Sequence, residues 1–423
     1  MIARKQGLLA ALGPGLLMAG AAVGVSHLVQ STRAGAEFGL ALLGLVIVAC
    51  VLKYPFLEFG PRYAAATGQS LIHGYRRLGD WALGLFTLIT LGTMFIIQAS
   101  VTLVTAGLAG LVFGLDWSMT QLSFAVLVGC IVILTIGRYR GLDLIMKVIM
   151  SVLAISTLAA VAFALGAEPD WEVLHPAFGW DAVWTAAGFA FVLALLGWMP
   201  IPLDVAAWHS LWTLERAEQI GQLPSVRHSV ADFRIGYIGA TILAILFLLL
   251  GALVMYGSGD GLPGSAVAFS GALVELYAVT LGDWARPLIA VAALTTMFST
   301  TLAVTDGYPR VIRALIEVSG VADEEDKAPN LHRGRYVSGL LMVTIGALII
   351  IHYFGESFTR LIDFATTVSF LAAPALAWLN IRVITSEHVP AEHRPGPKLM
   401  MLAWTGFWFL LIFCLIWAGW RIF

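Results

Sequence analysis

Midway through a long apolar run, residues 195–204 read Leu-Leu-Gly-Trp-Met-Pro-Ile-Pro-Leu-Asp. The two prolines lie two residues apart behind a glycine, so they remove two backbone N–H donors and free carbonyls of the preceding turn. In a membrane-spanning helix, such a break is tolerated only where the freed backbone lines a cavity or is covered by protein. The stretch therefore predicts a broken membrane helix whose break contributes to a site.

The first apolar run carries a comparable interruption. It reads Leu-Gly-Pro-Gly at residues 12–15 and Ala-Gly-Ala-Ala-Val-Gly-Val-Ser-His at residues 19–27. The interrupted runs are the first and the sixth. In an inverted repeat of five plus five helices, the first helices of the two halves meet at the membrane midplane, where such transporters bind substrate. The spacing therefore predicts a transporter built on such a repeat.

The composition of the whole chain supports a membrane protein. The 423 residues are 59% hydrophobic and 12% charged, whereas soluble domains are about 45–50% apolar and about 25% charged. The apolar runs lack the period-two alternation of strands, so we expect an all-α polytopic membrane protein. At roughly 20 residues per span, the predicted spans number eleven: 8–29, 39–58, 82–112, 122–137, 143–166, 182–210, 234–257, 285–305, 336–353, 360–380 and 399–420. The weakly apolar stretch 264–281 is predicted to be an interfacial helix.

The cationic residues predict the orientation of these spans. With a cytoplasmic N-terminus, nineteen of the 24 lysines and arginines lie at the N-terminus, in the cytoplasmic connections or at the adjoining helix ends, as the excess of cations on the cytoplasmic side predicts. The outer connections 113–121 and 167–181 carry acidic residues and no cation. We therefore expect an integral protein of the plasma (inner) membrane with its C-terminus outside. Nothing in the charge pattern indicates nucleic-acid binding.

Several short motifs resemble those of one transporter family. Gly13-Pro14, Gly35-Ala36, Phe38-Gly39 and Met199-Pro200, together with the eleven-span layout, resemble the NRAMP divalent-metal transporters over nearly the whole chain. The resemblance implies a LeuT-type inverted repeat with broken helices 1 and 6. It also implies a single transporter domain, 1–423, with repeats at 8–166 and 182–380 and one additional helix at 399–420.

The chain departs from the family at the residues that carry its chemistry. The family's Asp-Pro-Gly-Asn of the first helix corresponds to residues 24–27, which read Gly-Val-Ser-His. The family's Met-Pro-His-Asn corresponds to residues 199–202, so the methionine ligand persists as Met199 and the histidine is lost. The tenth-span glutamine of the family falls at Thr366. The third span has no Asp or Glu between Trp81 and Gly114. The chain is therefore predicted to be a divergent member, with altered metal selectivity and weakened proton coupling.

The predicted substrate site gathers residues around the two breaks. Its members are Gly24, Ser26, His27, Gln30, Leu196, Met199, Asp204 and Thr366. The imidazole of His27 and the thioether of Met199 are the candidate metal ligands, and such ligands suit softer ions. A second interpretation of His27 stays open, namely a neutral histidine hydrogen-bonded in a helix seam. Asp204 lies one turn after Met199 and is the most suggestive carboxylate.

Other polar residues are predicted to have structural roles. Lys53 with Glu58 is expected to form an ion pair at a cytoplasmic helix end. The third span has an inward polar face of Gln98, Thr102 and Thr105, and the eighth has one of Thr295, Ser299 and Asp306. For the threonines, bonding between helices or to their own backbone is the expected role.

These observations predict a secondary transporter of a small cation, with a metal ion as the favoured substrate. Two alternatives remain: a LeuT-type transporter of an amino acid or other organic solute, and a sensor that no longer transports. No catalytic motif is present, so we expect no enzyme and no cofactor. The expected partners are the substrate and the lipid bilayer. The sequence leaves the oligomeric state open.

Overall fold

The computed structural model describes residues 13–136, 139–172, 174–175, 179–257, 262–320 and 329–422. Within these ranges the chain is helical and contains no strand. Three predictions fall on residues outside these ranges. They concern the orientation of the N-terminus, residues 8–12 of the first span and the C-terminal residue Phe423.

In the described residues of its first half, the chain forms seven helices and one π-helical segment. The segment is Val25–Ser31, and it connects α1 to α2. The helices are α1 Pro14–Ala22, α2 Thr32–Phe38, α3 Leu43–Thr67, α4 Leu71–Leu78, α5 Asp80–Phe113, α6 Met119–Ile136 and α7 Tyr139–Gly166.

The described part of the second half contains nine helices and a short 3₁₀ turn at Ala391–His393. The helices are α8 Trp180–Val183, α9 Ala186–Trp198, α10 Val205–Ile220, α11 Val226–Val254, α12 Ala266–Leu281, α13 Ala285–Val318, α14 Pro329–Phe354, α15 Phe358–Ile384 and α16 Pro397–Ile422.

Eight of the described helices are long and apolar enough to cross a membrane. They are α3, α5, α6, α11, α13, α14, α15 and α16, which coincide with eight of the predicted spans. The predicted first and sixth spans are each divided, the first at Val23–Gly24 and the sixth between α9 and α10. The two predicted breaks are therefore present, and the total of eleven spans stays a prediction.

The halves of the first broken span pack closely against α11. Cβ atoms added to Gly15 or Gly236 would overlap the backbone of the other helix, and the same holds for Gly35 and Gly251. Small residues let membrane helices approach in this way, because packing rather than the hydrophobic effect drives their association. Asp232 on α11 also accepts hydrogen bonds from the backbone N–H groups of Gly13 (3.2 Å) and Gly15 (2.6 Å). The start of α1 is thus capped by another helix.

A polar ladder joins α5 to α13. The Gln98 amide donates to the hydroxyls of Thr102 (3.1 Å) and Thr305 (3.0 Å), and Thr105 Oγ1 lies 2.7 Å from Thr301 Oγ1. The predicted inward face of α5 is therefore confirmed as an interhelical bonding face.

The face predicted for the eighth span faces inward in part, but it is not the face that meets α5. Ser299 is buried, Asp306 contacts other helices, and Thr295 bonds its own backbone as expected for the threonines. Thr301 and Thr305, one helical turn apart, meet α5, whereas Thr295 Oγ1 donates to Val291 O on its own helix. Asp306 belongs to another cluster, where it pairs with Arg310 (2.7 Å) and accepts from Tyr336 (2.8 Å). The rotation of α13 about its axis decides which face meets α5, and helical periodicity alone did not identify that rotation.

The stretch predicted to be interfacial forms α12. Its Phe269, Leu273 and Tyr277 are buried against the rest of the protein, and Tyr277 Oη lies 2.7 Å from Thr157 Oγ1 on α7. The helix was correctly predicted, and its position at the membrane interface stays a prediction.

Candidate functional site

The break in the first span is stabilised by a threonine from another helix. Helix α1 ends at Ala22, and Gly24 leaves the helical conformation with φ −142° and ψ −129°. The hydroxyl of Thr300 on α13 donates to Gly20 O at 2.7 Å and lies 3.3 Å from Val23 O. These carbonyls lack helical N–H donors at the end of α1, so the Thr300 hydroxyl replaces one of the hydrogen bonds that the break removes.

The break in the sixth span is stabilised by a lysine. Helix α9 ends at Trp198, and α10 begins at Val205. The ammonium of Lys53 on α3 donates to Leu196 O at 3.2 Å and to Gly197 O at 3.0 Å. Both carbonyls lie in the last turn of α9, where the break leaves acceptors without helical donors.

The predicted ion pair between Lys53 and Glu58 is therefore wrong. The Glu58 carboxylate pairs with Arg62 at 2.6 Å and accepts from the Tyr54 hydroxyl. Positions three or four apart share one helix face, whereas residues five apart lie about 140° around the axis from each other. Lys53 consequently points toward α9, and Glu58 points toward Arg62.

The two breaks contact each other. Ser26 Oγ lies 3.3 Å from Pro200 O, and Ser31 Oγ donates to Met199 Sδ at 3.5 Å. A cavity of about 30 Å³ lies beside this junction, which is enough for about two water molecules. Its lining includes Val25, Ser26, Ile97, Ile201, Trp208 and Thr300. The junction of the first and sixth spans is therefore buried, mostly apolar and sparsely polar.

His27 turns away from this cavity. Its Nε2 donates to Ala240 O on α11 at 2.8 Å, and its Nδ1 lies 2.8 Å from Ser26 Oγ. The side chain is completely buried. A metal-ligand role for His27 would require one of these hydrogen bonds to break, so the geometry agrees better with the structural interpretation of this residue.

Gln30 and Thr366 meet on the other side of the junction. The Gln30 amide donates to Asp363 Oδ1 (3.1 Å) and to Thr366 Oγ1 (3.4 Å). Arg33 donates to Gln30 Oε1 and pairs with Asp363 at 2.7 Å. Gly197 lies so close to Thr366 O that a Cβ atom there would overlap this carbonyl. Gln30 and Thr366 are thus in contact, and α9, which carries Leu196, packs against the backbone at Thr366.

Gly24 and Asp204 lie elsewhere around the breaks. A Cβ atom at Gly24 would be 2.7 Å from Thr300 Oγ1, so this position faces α13. Asp204 precedes the first residue of α10, is 5% exposed and accepts from the Tyr308 hydroxyl at 3.2 Å. The predicted residues therefore surround the junction of the breaks without forming one ligand shell.

The described part of the chain contains no group of three His, Cys, Asp or Glu residues placed to hold a metal. Most potential metal ligands at the junction are neutral: the Met199 thioether, the Gln30 amide, the Ser31 and Thr366 hydroxyls and the carbonyls at the end of α9. The Asp363 carboxylate also contacts Gln30, but it is paired with Arg33. Sequence reasoning missed two participants, Ser31 and the ammonium of Lys53. A lysine inside an apolar run was the available signal, because charged residues within membrane helices are costly and rare.

Comparisons with known proteins agree with this architecture. The family model described as Nramp, natural resistance-associated macrophage protein-like, matches residues 15–418. An uncharacterized protein of Pasteurella multocida is 36% identical over 416 residues, covering 97% of this chain and 93% of the relative. The divalent metal cation transporter MntH of Bradyrhizobium diazoefficiens is 21% identical, covering 94% of this chain and 86% of the relative.

Solved structures show the same fold. A mutant of the Eremococcus coleocola manganese transporter superposes with a TM-score of 0.73 at 17% identity, covering 97% of this chain and 86% of the other. MhsT in complex with L-phenylalanine superposes with a TM-score of 0.61 at 14% identity, with 98% of each chain covered. These neighbours identify a LeuT-like transporter fold. With the family model matching nearly its whole length, this integral membrane protein belongs to the Nramp family.

Proposed function

We propose that this chain is a secondary transporter of a small metal cation, which passes the junction of the two broken spans. The observation that carries the proposal is the contact between the breaks, Ser26 with Pro200 and Ser31 with Met199. Family membership and the MntH relative support a divalent metal cation as the substrate class. The same comparisons point to a transporter rather than an enzyme, and they do not favour an organic solute or a sensor.

We also propose that the metal selectivity is altered toward softer ions. Met199 supplies a thioether, which suits soft metals, whereas Mn²⁺ and Mg²⁺ favour anionic oxygen ligands. Gly24 replaces the carboxylate of the family motif that the sequence resembles. Asp363 contacts Gln30, but Arg33 pairs with this carboxylate at 2.7 Å and offsets its charge.

Proton coupling is proposed to be weak for a similar reason. Helix α5 has no Asp or Glu between Trp81 and Gly114, and Ile201 follows the proline of the sixth break. The ionisable groups described beside the breaks include His27, Lys53 and Asp204, together with the Arg33–Asp363 ion pair. The residues that remain to carry a proton are therefore ones whose side chains are already engaged in hydrogen bonds or ion pairs.

The remaining parts of the proposal concern the whole chain. Residues 1–423 form one transporter domain with repeats at 8–166 and 182–380 and an additional helix at 399–420. Eleven spans place the N-terminus in the cytoplasm and the C-terminus outside the plasma (inner) membrane, as the distribution of lysines and arginines indicates.

Transport in proteoliposomes tests the proposal. Purified protein is reconstituted with a metal-sensitive dye inside the vesicles, and Cd²⁺ and Mn²⁺ are added outside at equal concentrations. We expect faster Cd²⁺ entry, with little acidification of the lumen. Met199→Ala should slow Cd²⁺ entry by at least about tenfold, the lower end of what losing even an outer-shell partner costs a metal site. Met342→Ala, at a surface position on α14, is the matched control.

Two results would contradict the proposal. If neither ion enters the vesicles, the proposal of metal transport is wrong. If a labelled amino acid accumulates instead, the organic-solute alternative is supported. Rapid Mn²⁺ entry with strong acidification would leave transport in place and overturn the altered selectivity and weak coupling.

A further inference from the structure

The ammonium of Lys53 is buried without a carboxylate partner. Lys53 is 1% exposed, and its described hydrogen bonds go to Leu196 O (3.2 Å) and Gly197 O (3.0 Å). Among the described residues, no Asp or Glu oxygen lies within the 4.0 Å that defines an ion pair with this ammonium. Two main-chain carbonyls are therefore its direct partners.

Those carbonyls belong to the end of a broken helix. The last carbonyls of a helix lack helical donors and carry the negative end of the helix dipole. In transporters with broken helices, such carbonyls and half-helix ends coordinate the transported or coupling cation. Lys53 therefore has the position and the charge of a bound cation, and α3 holds it there by a covalent tether.

In the described part of the chain, few other ionisable groups lie near the Lys53 ammonium. Cys50 on α3 and Asp204 at the start of α10 are the ionisable groups whose fields act on it most directly. Asp204 is already bonded to the Tyr308 hydroxyl at 3.2 Å. Neither group contacts the ammonium as closely as the carbonyls do, so the carbonyl pair determines its place.

We propose that Lys53 is a tethered cation that occupies the carbonyl pair at the end of α9, and that a transported cation must displace it. The displacement rests on the proposed transport function. The occupancy of the carbonyl pair by an ammonium group stands independently of that function. Lys53 is then a specificity-determining residue, since only a cation that competes with an ammonium for these carbonyls can pass.

Chemical rescue tests the occupancy. Lys53→Ala removes three carbons and the ammonium, which together correspond to n-propylammonium. We expect n-propylammonium to produce a saturable rise in the Tm of purified Lys53→Ala, because a ligand that binds the folded state stabilises it. The neutral 1-propanol should produce no comparable rise. Lys398→Ala, at an exposed position on α16, is the matched control and should not respond. Equal responses to the amine and the alcohol, or none, would overturn the occupancy.

A second variant tests the displacement of Lys53, and it remains available if Lys53→Ala does not fold. Lys53→Met keeps an unbranched side chain of similar length without the charge, and Lys53→Leu, which adds no thioether, must give the same result. If the lysine vacates the carbonyls in about one molecule in ten, removing it should tighten Cd²⁺ binding about tenfold, since apparent affinity scales with the competent fraction. Calorimetry on the wild-type protein and Lys53→Met measures this difference. Unchanged or weaker binding by Lys53→Met would overturn the displacement.

The two proposals fail in different ways. Rescue by n-propylammonium, with no metal binding by either the wild-type protein or Lys53→Met, would overturn metal transport and retain the tethered ammonium. Metal uptake by the wild-type protein, without rescue and without tighter binding by Lys53→Met, would retain transport and overturn the inference about Lys53.

Discussion

At the scale of single residues, His27 lies beside the candidate site, but its hydrogen bonds stabilise the packing of the helices. Its two ring nitrogens are engaged, one with Ala240 O and the other with Ser26 Oγ, both at 2.8 Å. Removing the imidazole leaves a buried carbonyl without its donor, which costs about 1–3 kcal/mol. We expect His27→Ala to lower the free energy of unfolding by at least this amount and to leave Cd²⁺ affinity close to that of the wild-type protein.

Thermal melts and calorimetry on the same His27→Ala sample check this prediction, with Met199→Ala as the comparison. Loss of metal binding at an unchanged Tm would show that His27 is a ligand and that its hydrogen bonds are incidental.

Gly24 gives a second residue-scale prediction. An added Cβ atom would lie 2.6 Å from Thr300 Cγ2 and 2.7 Å from Thr300 Oγ1. Because Thr300 also bonds the freed carbonyl of Gly20, an aspartate at position 24 disturbs the break itself. We expect Gly24→Asp combined with His27→Asn to lower the Tm and to add no Mn²⁺ binding, although it restores the family's residue types.

The matched variant adds Thr300→Ala to the same pair of substitutions, which removes two of the three crowding atoms. We expect this triple variant to gain Mn²⁺ binding by calorimetry. Mn²⁺ binding by the double variant at an undiminished Tm would show that Thr300 moves aside freely.

At the scale of secondary-structure elements, α11 supports both halves of the first broken span. Gly236 and Gly251 on this helix allow the backbones of α1 and α2 to approach it closely. Overpacking such a contact costs about 1–3 kcal/mol. We therefore expect Gly251→Ala to lower the Tm and to slow transport, because it separates α11 from α2, the helix that directly follows Gln30 and Ser31.

Gly239→Ala on the same helix is the control, since a Cβ atom there has no neighbour within 4 Å. Alanine is favoured over glycine in a helix by about 1 kcal/mol, so this variant should be as stable as the wild-type protein or more so. Equal melting temperatures for the two variants would contradict the role assigned to the close packing.

At the scale of the whole molecule, the distribution of cations predicts the orientation in the membrane. In a Cys414→Ser background, the remaining native thiols, Cys50 and Cys130, are buried. We expect a membrane-impermeant maleimide to label Phe423→Cys and Asp116→Cys from outside intact cells. Arg77→Cys should be labelled only after permeabilisation. Labelling of Phe423→Cys only after permeabilisation would contradict the eleven-span layout.

Much of the architecture follows from the sequence alone. Apolar runs become helices in lipid because every backbone group must be bonded within the segment. The break in the sixth span follows from local chemistry, since Pro200 and Pro202 each lack a backbone N–H donor. The first span divides at Val23–Gly24, where glycine tolerates a non-helical backbone. The eight long apolar helices, both breaks and the Nramp family were therefore predictable before any tertiary contact was known.

Only the tertiary structure decided which side chains meet at the breaks. Lys53 and the carbonyl of Gly197 are 144 residues apart in the chain and 3.0 Å apart in space, and His27 bonds a carbonyl 213 residues away. Such contacts depend on how each helix is rotated and displaced against its neighbours, which the small residues at helix crossings and the total packing determine. A sequence pattern places a residue on a helix, but the acceptor that an ammonium or imidazole finds is set by the packing of the other helices.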